Sequence, residues 1–192
     1  MNERIGEIIN RIKALESELA DELDRARERI NYQLLDRKVR FAREVLLQHR
    51  KLKIGLLRYA LFPRLRHILT APFVYAVFPP LLLLDIFASL YHAVCFPLLG
   101  IPKVKRSDYL VYDHHHLAYL NALEKLNCLY CSYGNGLISY IKEIIARTEQ
   151  YWCPIKHAQR ILDAHSRYGY FTEYGDAESF RRDLEKIRQF KD

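Results

Sequence analysis

From Ile68 to Ile101 the chain carries a single formally charged side chain, Asp85, and on both sides of that run apolar residues return at helical spacing. A run this long and apolar is unsuited to an exposed surface and predicts a membrane segment. As one straight helix it would extend about 51 Å at 1.5 Å per residue, against a hydrocarbon thickness near 30 Å. Pro79 and Pro80 divide it, and a proline pair removes backbone donors and clashes with the preceding turn. The expected form is therefore a Pro-broken membrane hairpin, with a single tilted membrane helix from about Pro80 to Leu99 as the other arrangement. Arg64 and Arg66 precede the run and Lys103, Lys105 and Arg106 follow it. Like charge at both ends favours the hairpin, with both flanks on the cytoplasmic side, by the rule that basic loops stay inside.

Before the run, Ile5, Ile9, Ile12, Leu19, Leu23, Ala26, Ile30 and Leu34 recur mostly at intervals of three and four. That spacing predicts a long amphipathic helix over 1–50, with a narrow seam that needs a partner: a second copy, a partner membrane subunit or its own domain. Glu16, Arg37 and Arg40 interrupt the heptad, and the seam slips near Leu34 and Leu35. After the run come a short helix over Leu117 to Leu126 with Asp113 as its cap, a helix from Leu137 to about Tyr151, and one starting at Pro154 and ending near Arg167. A tail helix presents Phe180, Leu184, Ile187 and Phe190 on one face behind a cap at Asp176. The fold class is mainly α, in three parts: 1–50, the basic juxtamembrane and membrane segment 51–106, and a small helical domain over 107–192.

The net charge of +7 is concentrated, since residues 37–66 hold ten basic side chains against Glu44 alone. Beside an apolar run such a block fits anionic lipid headgroups, at about 1 kcal/mol per basic residue near the surface. Residues 107–192 are nearly balanced, with eleven basic and twelve acidic side chains, so nucleic acid is not an expected partner.

Candidate chemistry lies in the last part. Cys128 and Cys131 precede Gly134-Asn135-Gly136, which predicts a tight reversal, and Cys153 and His157 follow at the expected start of a helix. Two short chelating pairs supply a closed three-sulfur, one-imidazole set, which predicts structural zinc ahead of iron, whose rubredoxin-type sites take four cysteines. A disulfide and simple burial are the competing accounts of these cysteines, and a cytosolic location disfavours the first. The layout resembles treble-clef zinc fingers over about thirty residues. The stretches "EKLNCLYCSYGNG" and "RTEQYWCPIKHA" are also similar to those of a family of short bacterial membrane-associated proteins, a resemblance that carries no activity with it.

Asp113, His114, His115, His116 and Glu124 form a second candidate set. Consecutive residues on a helix point about 100° apart, so at most two of the three histidines can serve one ion. Asp85, Ser89 and His92 share one face of the apolar helix as a polar stripe. Phosphate-binding, dinucleotide and His-Glu-x-x-His motifs are absent. Two function classes follow. One is a structural or assembly protein on the cytoplasmic face of a membrane, a bacterial inner membrane, with a zinc-stapled domain at Cys128, Cys131, Cys153 and His157. The other is a membrane-bound metalloenzyme acting on a lipid or quinone-like substrate through Asp113, His114, His116 and Glu124.

Overall fold

In the computed structural model, which describes residues 3–29, 32–35, 38–41, 43–55, 58–59 and 65–190, the chain is mainly helical. Ile30, Arg37 and Arg64 lie outside the described residues. Two units form: Met1–Pro63 with Tyr112–Leu129, and Arg64–Val111 with Tyr130–Asp192.

The first unit opens with α1, Glu3–Arg29. The helix expected over 1–50 stops there. Strands β1, Tyr32–Leu35, and β2, Lys38–Phe41, pair antiparallel, with Tyr32 opposite Phe41 and Leu34 opposite Val39. The reason lies in the sequence Tyr-Gln-Leu and Val-Arg-Phe, where apolar and polar residues alternate with period two and aromatic and β-branched types favour a pleated surface. Helix α2, Arg43–Lys51, follows, and its His49 stands edge-on to Phe41 and to Tyr119, at 5.2 and 5.1 Å between ring centroids.

The second unit holds the apolar run, which becomes α3, Leu65–Ala76, and α4, Phe78–Leu99. Arg66–Leu99 is a stretch of 34 residues long and apolar enough to cross a membrane. The expected hairpin at Pro79-Pro80 does not form. Val77 keeps right-handed helical angles, and the prolines fall in the first turn of α4, where a backbone N–H would be unsatisfied anyway. The Leu81 N–H then donates to the Val77 carbonyl at 3.2 Å, resuming the helical ladder.

Helix α5 is Ala122–Trp152, and from Tyr130 onward it runs beside α3 and α4 in the same direction. Its Tyr130 hydroxyl donates to the Val74 carbonyl at 2.6 Å, Tyr133 reaches Asp85, and Tyr140 reaches His92. Parallel neighbours need a return connection, and residues 100–111 provide it, running back along both helices. Ile101, Val104 and Leu110 of that return are buried with Phe96 from α4 and Leu137, Tyr140, Ile141 and Ile144 from α5.

The reversal expected at Gly134-Asn135-Gly136 is replaced by uninterrupted helix, and Gly136 is explained by its neighbours. A Cβ there would lie 2.7 Å from the Tyr109 carbonyl oxygen and 3.1 Å from the Leu110 Cα, both backbone atoms of the return segment. At Gly134 a Cβ would meet only the Leu81 side chain, at 3.5 Å. Two substitutions two residues apart should therefore have opposite signs. Gly134→Ala should stabilise by up to about 1 kcal/mol through helix propensity. Gly136→Ala should destabilise by about 1 to 2 kcal/mol, overpacking outweighing the same gain. Denaturant unfolding followed by circular dichroism measures both, and equal signs would contradict this account of the crossing.

Beyond α5 the expected helix from Pro154 to Arg167 is absent. Because α5 runs unbroken to Trp152, Pro154 stands just past a helix end and stops it, instead of starting the next one. The chain turns back to make a bridge in which the Thr172 N–H donates to the Pro154 carbonyl at 2.9 Å and the Lys156 N–H to the Thr172 carbonyl at 2.8 Å. Helix α6, Ala177–Ile187, is capped by Asp176, whose side chain accepts from the Ser179 N–H at 2.9 Å, as the sequence predicts.

Candidate functional site

The polar stripe of α4 faces α5 and the return segment. Asp85 accepts at both oxygens from the Arg106 guanidinium, the Nη2 contact at 2.6 Å, while the Tyr133 hydroxyl donates to Oδ2 at 2.9 Å and the Ser89 hydroxyl to Oδ1 at 3.0 Å. A fork-on-fork pair of this kind fixes direction as well as charge. Arg106 also lies over the Tyr140 ring, 5.5 Å from its centroid. Seven residues along from Asp85, the Nε2 of His92 accepts from the Val104 N–H at 3.0 Å, leaving Nδ1, 3.2 Å from the Tyr140 hydroxyl, to carry the proton of the neutral ring. The network staples three strands of chain together. Sequence reading placed the stripe but not its partners. The signal was available, since a lone carboxylate in a long apolar run demands a cation and Arg106 is a nearby one.

The second charged cluster secures the C-terminal residues to α5. Glu143 Oε1 accepts from Arg147 Nε at 2.8 Å and Arg167 Nε at 3.0 Å, and Arg167 Nη1 donates to Gln150 Oε1 at 2.9 Å. Gln150 then donates to the Ile187 carbonyl at 2.8 Å, and Arg188 to the Tyr151 carbonyl at 2.8 Å.

The four expected metal ligands are not brought together. Cys128 and Cys131 lie three residues apart on α5, whereas Cys153 follows the end of the same helix. The twenty-one residues of helix from Cys131 to Trp152 separate them by about 32 Å at 1.5 Å per residue, so one ion cannot bridge the pairs in this fold. The spacing was ambiguous: Cys-x-x-Cys describes a metal knuckle and equally two neighbours on one helix face. His157 is exposed and stacks on Tyr168 at 6.0 Å between centroids, and its backbone N–H donates to the Tyr168 hydroxyl at 2.6 Å. Cys153 is exposed, yet partial desolvation by its surroundings, and then the carboxylate of Glu149, raise its thiol above the ordinary range. Beside it, His165 Nε2 and Glu149 Oε2 pair at 3.0 Å. Among the described residues no three His, Cys, Asp or Glu side chains come close enough to hold a metal ion.

The remaining candidates lie before α5 and in its first turn. His114–His116 form one 3₁₀ turn, with the His115 and His116 rings 3.8 Å apart and Asp113 Oδ1 3.5 Å from His114 Nδ1. Asp113 makes no side-chain cap bond. The cap of α5 is Asn121, which accepts from the Glu124 N–H at 3.0 Å while Glu124 Oε2 accepts from the Asn121 N–H at 2.8 Å. This reciprocal capping box occupies the carboxylate proposed for catalysis. The chain matches no family model, no curated protein and no solved structure, so the reading that follows rests on its own residues.

Proposed function

We propose that this chain is a monotopic membrane protein of the cytoplasmic face of a bacterial inner membrane, with a structural or assembly role. The observation that supports it is the division of α4 into two faces. Leu83, Ile86, Phe87, Leu90, Val94 and Leu98 are exposed and lie within one side of the helix, with no polar residue among them. The opposite side, with Asp85, Ser89, His92 and Phe96, is covered by α5 and by the return segment, on which Lys103, Lys105 and Asp108 are exposed. An apolar outer face backed by charged, hydrated chain describes a helix lying in the interface plane. A full crossing along this axis would carry Lys103 and Lys105, beside the middle of α4, into hydrocarbon at about 2.5 to 3.5 kcal/mol each. The basic block over 37–66 adds preference for anionic headgroups.

Flotation with vesicles of zwitterionic lipid, with and without a quarter of anionic phospholipid, tests the reading. The wild-type chain should float with both and more strongly with the anionic set. Phe87→Asp with Leu90→Asp should reduce flotation at least tenfold, while leaving helix content unchanged by circular dichroism. Flotation that survives the double substitution would place the lipid contact elsewhere.

A further inference from the structure

Helix α1 carries a second exposed apolar stripe, in the other unit and of a different kind. Ile8, Ile12, Leu15, Leu19 and Leu23 are each between 50% and 60% exposed. Ile12 and Leu19 are seven residues apart, as are Ile8 and Leu15, so these four define the two seam rows of a coiled coil. The next position in the row of Ile8 and Leu15 is Glu22, which pairs with Arg25 on its own helix.

Charge along Glu3–Asp24 is polarised, and the last turn then adds Arg25, Arg27 and Arg29 against Glu28. Residues 3–13 hold Arg4, Arg11 and Lys13 against Glu3 and Glu7, whereas 16–24 hold Glu16, Glu18, Asp21, Glu22 and Asp24 with no basic residue. A bilayer with anionic headgroups would be repelled by residues 16–24, beside Leu19 and Leu23, so lipid is a poor occupant of this stripe. A second copy in parallel register fares no better: Glu22 would face Glu22 across the seam, and the acidic half would lie along itself. Antiparallel register removes both problems. Ile12 then packs on Leu15 and Ile8 on Leu19, and the basic half of each copy lies along the acidic half of the other. The flanking positions of this register place Arg11 opposite Glu18, and the two-fold axis makes that pair twice.

We propose that α1 is the self-association surface of this chain, forming an antiparallel two-helix coiled coil with a second copy. The inference is independent of the membrane reading, because it uses residues of the first unit alone.

The test is the mass of the full chain in mild detergent by light scattering and sedimentation equilibrium, over a concentration series. The wild-type chain should be a dimer and Leu15→Asp a monomer. Arg11→Glu and Glu18→Arg, taken singly, each turn two attractive contacts into two repulsive ones and should weaken the dimer roughly tenfold. Combined, they should restore it to near the wild-type constant. In a parallel dimer Arg11 would instead face Glu16, so the combined variant would stay weak. A monomeric wild-type chain, single charge changes without effect, or no recovery in the double variant would each overturn the proposal.

Discussion

Phe96→Ala should lower the unfolding free energy of the second unit by about 3 to 5 kcal/mol, the usual range for emptying a fully buried aromatic site. Phe96 has no exposed surface, and its ring stands edge-on to His92 at 4.6 Å and to Tyr91 at 5.9 Å between centroids. It sits where α4, the return segment and α5 meet, against Leu137, Ile144, Ile101 and Val104. Collapse into the space is restricted, because the return segment is fixed on one side by the Val104 bond to His92 and on the other by its backbone approach to Gly136. Phe96→Leu keeps most of the volume and should cost less than about 2 kcal/mol. Equilibrium unfolding in denaturant, with the single tryptophan, Trp152, as probe beside circular dichroism, measures both variants. Equal losses for alanine and leucine would mean that this position is not the packed centre of the unit.

How much of this was legible beforehand follows from the distance over which each feature is decided. The apolar run, the amphipathic start of α1 and the Asp176 cap of α6 are set within one or two helical turns, and the sequence shows them. The fate of Pro79-Pro80 and of Pro154 was harder, because proline is tolerated in a first helical turn, prohibited in an interior, and common just after an end. Which case applies depends on where the neighbouring helix stops. Gly134 and Gly136 are ambiguous in sequence for a related reason. Glycine signals either a reversal or a close approach, and only the course of residues 100–111, decided by packing far along the chain, separates the two. In the strands, the interval of three and four that runs through Ile30 and Leu34 coincided with a period-two pattern over 32–41, and pairing with Val39 and Phe41 decided for the hairpin.

The candidate site was legible by halves. Asp85, Ser89 and His92 could be placed on one face from spacing, but the pairing of Asp85 with Arg106 joins residues that the sequence separates by a helix end and a turn. Basic residues after an apolar run have two uses, as topology determinants and as partners for a carboxylate inside the run. Lys103 and Lys105 remain exposed on the return segment, whereas Arg106 turns inward.

That inward turn makes the network the place where charge and fold are most closely coupled. Asp85 is 15% exposed at its side chain and Arg106 41%, so the pair is screened less than a surface ion pair and more than one in a dry core. Asp85→Ala leaves the guanidinium and the Tyr133 hydroxyl without their shared acceptor and should cost about 2 to 3 kcal/mol, below the 3 to 5 of a fully buried pair because water still reaches Arg106. Arg106→Ala strands a carboxylate that keeps hydrogen bonds from Tyr133 and Ser89, and should cost somewhat less. Asp85→Leu combined with Arg106→Leu removes both charges and fills the space, and should be destabilising by no more than about 1 kcal/mol. A separate cycle closed with alanine at both positions, Asp85→Ala with Arg106→Ala, should give a coupling of about 1 to 2 kcal/mol between them, read from denaturant unfolding. Additive losses would show that Arg106 and Asp85 meet without holding the return segment in place. In that case the segment is kept on α4 and α5 by Ile101, Val104 and Leu110, by the Val104 bond to His92 and by the Arg147 bond to the Pro102 carbonyl.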